Sequence, residues 1–212
     1  MIRALSLSCL LSLLPAVTRA DAPGAFDYYV LSLSWSPTWC ALEGDDRDAP
    51  QCAAGQQTGW SLHGLWPQYE SGYPDYCTVS RETDPSRRQS DAMADIMGSG
   101  GLAWYQWKKH GRCSGLTGPN YYALSRRAYD SITRPPLLRQ LDHSVSLPAT
   151  VIEDAFLEVN PTLTADMITI TCDSNRIGEA RICLTKDLTP RVCGADVRRD
   201  CGLQDALFDP IR

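Results

Sequence analysis

The sequence predicts an α+β fold: a single disulfide-bonded domain with a mainly antiparallel sheet flanked by helices. Strand-like segments gather at both ends of the chain and helical ones in the middle, without the regular alternation of a parallel sheet. The chain has 212 residues at 43% hydrophobic content, the arithmetic of one domain, and no repeat or linker divides it. Its nine cysteines ask for a cause beyond an ordinary core.

The cause begins at residues 1–20. Arg3 precedes an apolar stretch from Ala4 to Val17, and Thr18-Arg19-Ala20 follows. That is the layout of a secretory signal peptide cut after Ala20, leaving residues 21–212 as the domain. The stretch is too short and too Ser-rich to span a bilayer. Apolar residues continue past Cys9 to Leu14, which argues against a lipid-anchored cysteine. No later segment suits a membrane span. Losing Arg3 and Arg19 takes the net charge from −5 to −7 and leaves eight cysteines. An even number in an exported chain reads as a disulfide framework, in preference to free thiols. A zinc site fits poorly, because no Cys-x2-Cys pair exists and only three His are present. A strongly anionic protein does not coat nucleic acid by bulk charge, although a local basic site remains open to it.

The elements follow in order. Phe26–Trp35 alternates and is rich in β-formers, so it predicts a strand with one buried face. Residues 40–57 form an acidic solvated loop. Thr58–Leu65 predicts a second strand carrying His63, and residues 67–85 an irregular connection. Asp84 and Pro85 open a helix that continues over Arg88–Met97 and stops at Gly98, Gly100 and Gly101. Leu102–His110 is a second helical stretch. Thr117 caps a third over Pro119–Ile132, ended by Pro135-Pro136. Pro148 opens a fourth that runs to Val159. Met167–Cys172, Glu179–Thr185 and Arg191–Arg198 are the closing strands.

Two of the three His sit in dense settings, Trp60-Ser-Leu-His63-Gly-Leu-Trp66-Pro67 and Trp104-Tyr-Gln106-Trp-Lys-Lys109-His110-Gly-Arg-Cys113. On a helix Gln106, Lys109 and His110 share one face. That face gathers an amide, an ammonium and an imidazole, the set needed around a phosphate in flight. RNA carries its own nucleophile in the 2′-hydroxyl, so its cleavage needs a base, an acid and charge stabilisation. Imidazole suits both proton roles, its unperturbed pKa being ~6.5, and Lys109 is placed to offset the charge of a phosphorane. Trp104 and Trp107, at i and i+3, read as core before they read as a base platform. Lys108 and Arg112 add cations around Gln106. His143, in a turn-like stretch, reads as surface.

The blocks SLHGLWPQY and WKKHGRCSGL, with the opening YVLSLSWSPTWC and the late cysteine cluster, resemble the ribonuclease T2 family over nearly the whole mature chain. The resemblance implies a secreted or periplasmic, bacterial, metal-independent endoribonuclease. It would turn single-stranded RNA into 2′,3′-cyclic phosphates and then 3′-phosphates, with no cofactor, no metal, no DNA substrate and no membrane contact after leader removal, as a monomer. It implies His63 and His110 as the acid–base pair, with His110 as base and His63 as acid, and Lys109 at the phosphorane. Trp66 stands where some members contact a base. It further implies bridges Cys40–Cys52, Cys77–Cys113, Cys172–Cys201 and Cys183–Cys193, the second tethering the loop after His63 to the end of the His110 helix. Three positions depart from the pattern: Gln106 stands for the usual Glu, Tyr105 for an auxiliary His, and Gln68 for an Asp used in base preference. An alternative follows from Gln106, a catalytically weakened ribonuclease-like protein kept for RNA binding or regulation. A zinc phosphodiesterase is disfavoured, because His143 lies far from both blocks.

Overall fold

A computed structural model of the chain describes residues 21–212; the expected leader, with Cys9, lies outside the described residues. In chain order the elements are β1 (Tyr28–Trp35), α1 (Ser36–Trp39), β2 (Trp60–Gln68), α2 (Arg87–Asp91), α3 (Ala94–Met97), α4 (Gly100–Lys109), α5 (Gly118–Ser131), β3 (Val145–Leu147), α6 (Ala149–Val159), β4 (Ile168–Asp173), β5 (Arg176–Leu184) and β6 (Ala206–Phe208). The strands form one sheet in the order β2-β1-β5-β6-β3, with β4 also paired to β5. Every pairing is antiparallel except a single parallel register, Arg176 with Leu207. The α+β class with a mainly antiparallel sheet is therefore what the chain adopts.

Strand alternation sorts β1 into two faces. Tyr29, Leu31, Leu33 and Trp35 join the main core with Trp107 of α4, Tyr121 and Leu124 of α5, and Ile152 and Phe156 of α6. Each such large side chain contributes roughly 1.5–3 kcal/mol by leaving water. The opposite face of β1 carries Tyr28, Val30, Ser32 and Ser34. Tyr28 and Val30 pack there with Cys183, Cys193 and Val197 in a small second cluster. Ser32 and Ser34 are not part of that cluster, and the site lies over them.

Four bridges join Cys40–Cys52, Cys77–Cys113, Cys172–Cys201 and Cys183–Cys193. Their closed loops span 12, 36, 29 and 10 residues. The longest would restrict the unfolded chain most.

Several expectations are corrected. Residues 191–198 are not a strand: only Pro190 bridges to Leu184. The short Cys183–Cys193 loop folds the chain back, and the Gly194 carbonyl then accepts from the amides of Val197 and Arg198 in a tight turn. The helix expected over Arg88–Met97 breaks at Ala92–Met93 into α2 and α3, where the Ala92 carbonyl accepts from Arg126. Its start is Ser86, whose reciprocal bonds with Gln89 form a capping box; Asp84 instead receives Arg112 and the Trp107 indole. Thr117 precedes α5 without a side-chain cap. The acidic segment after β1 is a series of short helical turns over Cys40–Gly44, Asp45–Arg47 and Pro50–Cys52. Strands β3 and β6, three residues each, carry too little pattern to be read.

Candidate active site

Two interruptions of strand alternation aim the polar residues of the site. In the β1–β2 ladder Ser32 faces Gly64 but Leu33 faces Leu62, so His63 is the extra residue of a bulge. A bulge turns a side chain that regular pleating would send elsewhere. Leu62 and Leu65 thereby both reach the core, fully buried, while His63, Trp66 and Gln68 gather on the opposite face. In the β4–β5 ladder Thr171 faces Glu179 but Cys172 faces Ile177, leaving Gly178 extra. Ile177 and Ala180 then both reach the core, and Glu179 and Arg181 stand opposite Ser34 and Ser32 of β1. Those short serines let long side chains from β2 and β5 meet above β1.

Helix α4 brings the second block. Ser99 caps it by accepting the Leu102 amide at 3.1 Å, and it ends at His110, whose amide donates to the Gln106 carbonyl at 2.9 Å. Gln106, Lys109 and His110 line the cleft, as their spacing predicts, while Trp107 is fully buried in the core. The Tyr76 amide donates to the Lys109 carbonyl at 2.8 Å, and the adjacent Cys77–Cys113 bridge fixes this end of α4 to the loop after β2.

Trp66 joins the two blocks. Its ring centroid lies 5.2 Å from each imidazole, edge-on to His63 and stacked at 29° on His110. Its indole N–H donates to Gln106 Oε1 at 2.8 Å. A Cβ on Gly64 would stand 2.3 Å from that indole nitrogen and 2.5 Å from Gln106 Oε1, so the close approach requires glycine. Gln106, only 1% exposed, is held as a neutral group against the base of the cleft.

The two histidines have different surroundings. His110 is buried, and its Nδ1 finds no hydrogen-bond partner among the described residues. Burial, then the charge of Lys109 and the nearby His63, lower its pKa to about 3. His110 is thus neutral at ordinary pH, with one ring nitrogen unprotonated. His63 remains about a third exposed and meets Glu179 through Nδ1 at 2.5 Å. The other carboxylate oxygen of Glu179 accepts two bonds from Arg181, at 2.8 and 2.6 Å. Burial alone would push the Glu179 carboxyl up, but hydrogen bonds and charge from His63 and Arg181 outweigh it and hold it at about 2.

A cleft of about 540 Å³ opens between Trp66, Gln68, Tyr73, Lys109, His110 and Arg199. A second hollow of about 1150 Å³ continues past His63, Tyr105 and Arg181, which line both. Tyr105 is half exposed at their junction, and Gln68 is buried in the wall. The arrangement offers one neutral imidazole, one imidazole beside a carboxylate, and cationic groups between them. It can take a proton from one oxygen and return one to another. Among the described residues no group of His, Cys, Asp and Glu is assembled to hold a metal ion.

Not every expected neighbour is present. Arg112 is turned away to Asp84, and Lys108 lies 5.9 Å over the Trp104 ring, so neither lines the cleft. Arg181, Arg199, Glu179 and Tyr73 enter from outside both blocks. For Glu179 a signal exists: the apolar positions Ile177 and Ala180 are three apart in an otherwise alternating strand, as are Leu62 and Leu65 around His63. His143 is exposed beside Asp142, remote from the cleft.

The model of the ribonuclease T2 family matches residues 26–193. A protein named "Ribonuclease" from Aeromonas hydrophila is 46% identical over 110 residues, 52% of this chain and 48% of the relative. A "Probable ribonuclease" from Haemophilus influenzae is 30% identical over 127 residues, 54% of this chain and 46% of the relative. The matches thus span about half the length of these curated relatives. Among solved structures, an RNase-related protein from Calystegia sepium superposes with a TM-score of 0.66 at 18% identity, covering 88% of this chain and 97% of that one. RNase NT, solved in complex with 5′-AMP, superposes with a TM-score of 0.64 at 22% identity, covering 88% and 99%.

Proposed function

The chain belongs to the ribonuclease T2 family, and from that membership we propose that it is a metal-independent endoribonuclease acting on single-stranded RNA. The observation that carries the reading is the pair of imidazoles held on either side of Trp66, one neutral and one against a carboxylate. His110, neutral, takes the proton of the 2′-hydroxyl as that oxygen attacks the adjacent phosphorus. His63, protonated, gives a proton to the departing 5′-oxygen. Lys109, with the Gln106 amide, offsets charge on the phosphorane between them. The product is a 2′,3′-cyclic phosphate; in its hydrolysis the two histidines exchange roles and water replaces the leaving hydroxyl, giving a 3′-phosphate. Trp66, Gln68 and Tyr105 are the residues we assign to contact with the nucleotide. The nucleotide bound in RNase NT is in keeping with a ligand of this class in the cleft.

We further assign residues 1–20 as a removable export signal and 21–212 as the working domain, secreted or periplasmic in a bacterium. Four disulfides suit an oxidising compartment, and the relatives from Aeromonas and Haemophilus suit a bacterial source. The test is a digest of a short single-stranded RNA and its DNA counterpart in excess EDTA, with the product ends identified. RNA cut to cyclic and then 3′-phosphate ends, with DNA intact, is the expected result. EDTA-sensitive cleavage, or 5′-phosphate ends, would refute the assignment.

A further inference from the structure

We propose that Glu179 is the positioning residue for His63, its carboxylate reaching over β1 to fix the imidazole by Nδ1 and to supply the counter-charge of the protonated ring. The inference rests on the reading of His63 as the proton donor, and concerns a residue that belongs to neither sequence block.

His63 stands on β2 and Glu179 on β5, with β1 between, so about two strand spacings of some 4.8 Å must be bridged. The bulge at His63 turns its side chain to the face where Glu179, next to the bulge at Gly178, pairs in regular register with Ser34, and Ser34 beneath them is short enough to leave the path open. Ser34 Oγ also donates to the same carboxylate oxygen that meets His63, at 3.4 Å. Arg181 holds the second oxygen through Nε and a terminal nitrogen, and its guanidinium lies 5.4 Å over the Trp66 ring. Both oxygens are committed, and the carboxylate is fixed in orientation as well as in place.

The consequence for the imidazole follows from hydrogen-bond chemistry. With Nδ1–H directed at a carboxylate, Nε2 is the nitrogen left to face a leaving oxygen, and a ring protonated on both nitrogens has an anion against it. This is the arrangement by which a buried acid fixes the tautomer of a catalytic imidazole. The other charged or titratable groups lining the hollows that His63 shares are Arg181 from the same strand as Glu179, Asp173 from β4, Glu43 and Arg47 from the turns after β1, Tyr105, Lys109 and His110 from α4 and its end, and Tyr73, Asp196 and Arg199 from the loops. Gln106 is neutral. Among the described residues Glu179 is the one carboxylate within ion-pair distance of His63.

The experiment measures kcat and KM against pH on one short RNA for wild type, Glu179→Gln, Glu179→Asp, His63→Ala and the His63→Ala/Glu179→Gln double variant. Glu179→Gln should lose about 10–100-fold in kcat, the scale on which outer partners of functional histidines act, with KM little changed. Its rate should begin to fall at lower pH on the basic side, because the proton donor has lost its counter-charge. Glu179→Asp keeps the charge but is one methylene short, and should restore the position of the basic limb with part of the rate. The double variant should be no slower than His63→Ala. A Glu179→Gln profile that coincides with wild type, or an undiminished loss from Glu179→Gln in the His63→Ala background, would overturn the proposal. Should Glu179→Gln fail to fold, Glu179→Asp carries the test alone, and a full loss of rate with its basic limb displaced overturns it. Wild type inactive on RNA would refute the functional reading instead.

Discussion

Gln106, read from the family resemblance as standing in place of a Glu, has a setting that gives that reading a physical meaning. Its carbonyl oxygen accepts the Trp66 indole N–H, and it sits one helical turn before the buried His110. A carboxylate there could still accept from Trp66, so Gln106→Glu should fold. It would also place a negative charge beside an imidazole that burial and Lys109 now hold near pKa 3. The pKa of His110 would rise, and a base with a raised pKa is unavailable over more of the acidic range. Profiles of kcat/KM against pH for wild type and Gln106→Glu should show the acidic limb displaced to higher pH in the variant. A several-fold gain across the whole range would mean instead that the native amide is a defect. The cations once expected around this position are fewer, since Lys108 and Arg112 are engaged elsewhere, but Lys109 and Arg181 line the same cleft.

At the level of elements, the segments with strong periodicity were legible and the irregular ones were not. Residues 102–110 and 119–132 show helical spacing bounded by Gly and Pro, and α4 and α5 lie where that spacing puts them. The expected strand at 191–198 failed because Val192 and Val197 suggest β-structure locally, while a short disulfide loop and Gly194 decide otherwise. Glu179 was readable only as a break in alternation, a signal that means nothing until the partner strand is known. A similar tension between local pattern and packing shows in α6. Glu153 lies on its partly buried side, where burial, then Asp200 and Asp154, raise its carboxyl to about 7. A raised acid favours the fold below its unfolded pKa of about 4.3, and that contribution is lost as pH climbs toward 7. Glu153→Gln should therefore raise Tm at pH 8, by about 2–4 °C for each kcal/mol recovered, and change it little at pH 4. Melting curves of both proteins at the two pH values check this, and an equal shift at both would refute the electrostatic cause.

For the whole molecule, the site exists because β2, α4 and β5, far apart in the chain, converge over the serine-bearing end of one face of β1. The sequence marks the first two as dense motifs and the third only as a strand with a break in its alternation. It also left open the path of the chain that brings them together, which depends on long-range pairing and on the Cys77–Cys113 bridge beside α4. On the proposed mechanism His63 from β2 and His110 from the end of α4 act as one unit. Single-turnover rates on a short RNA for wild type, His63→Ala, His110→Ala and the double variant, each shown to be folded, test this. Each single variant should lose at least ~10²-fold, the usual scale of acid–base catalysis, and the double should be little slower than the slower single. A folded single variant with near-wild-type rate, or losses that multiply in the double, would contradict it.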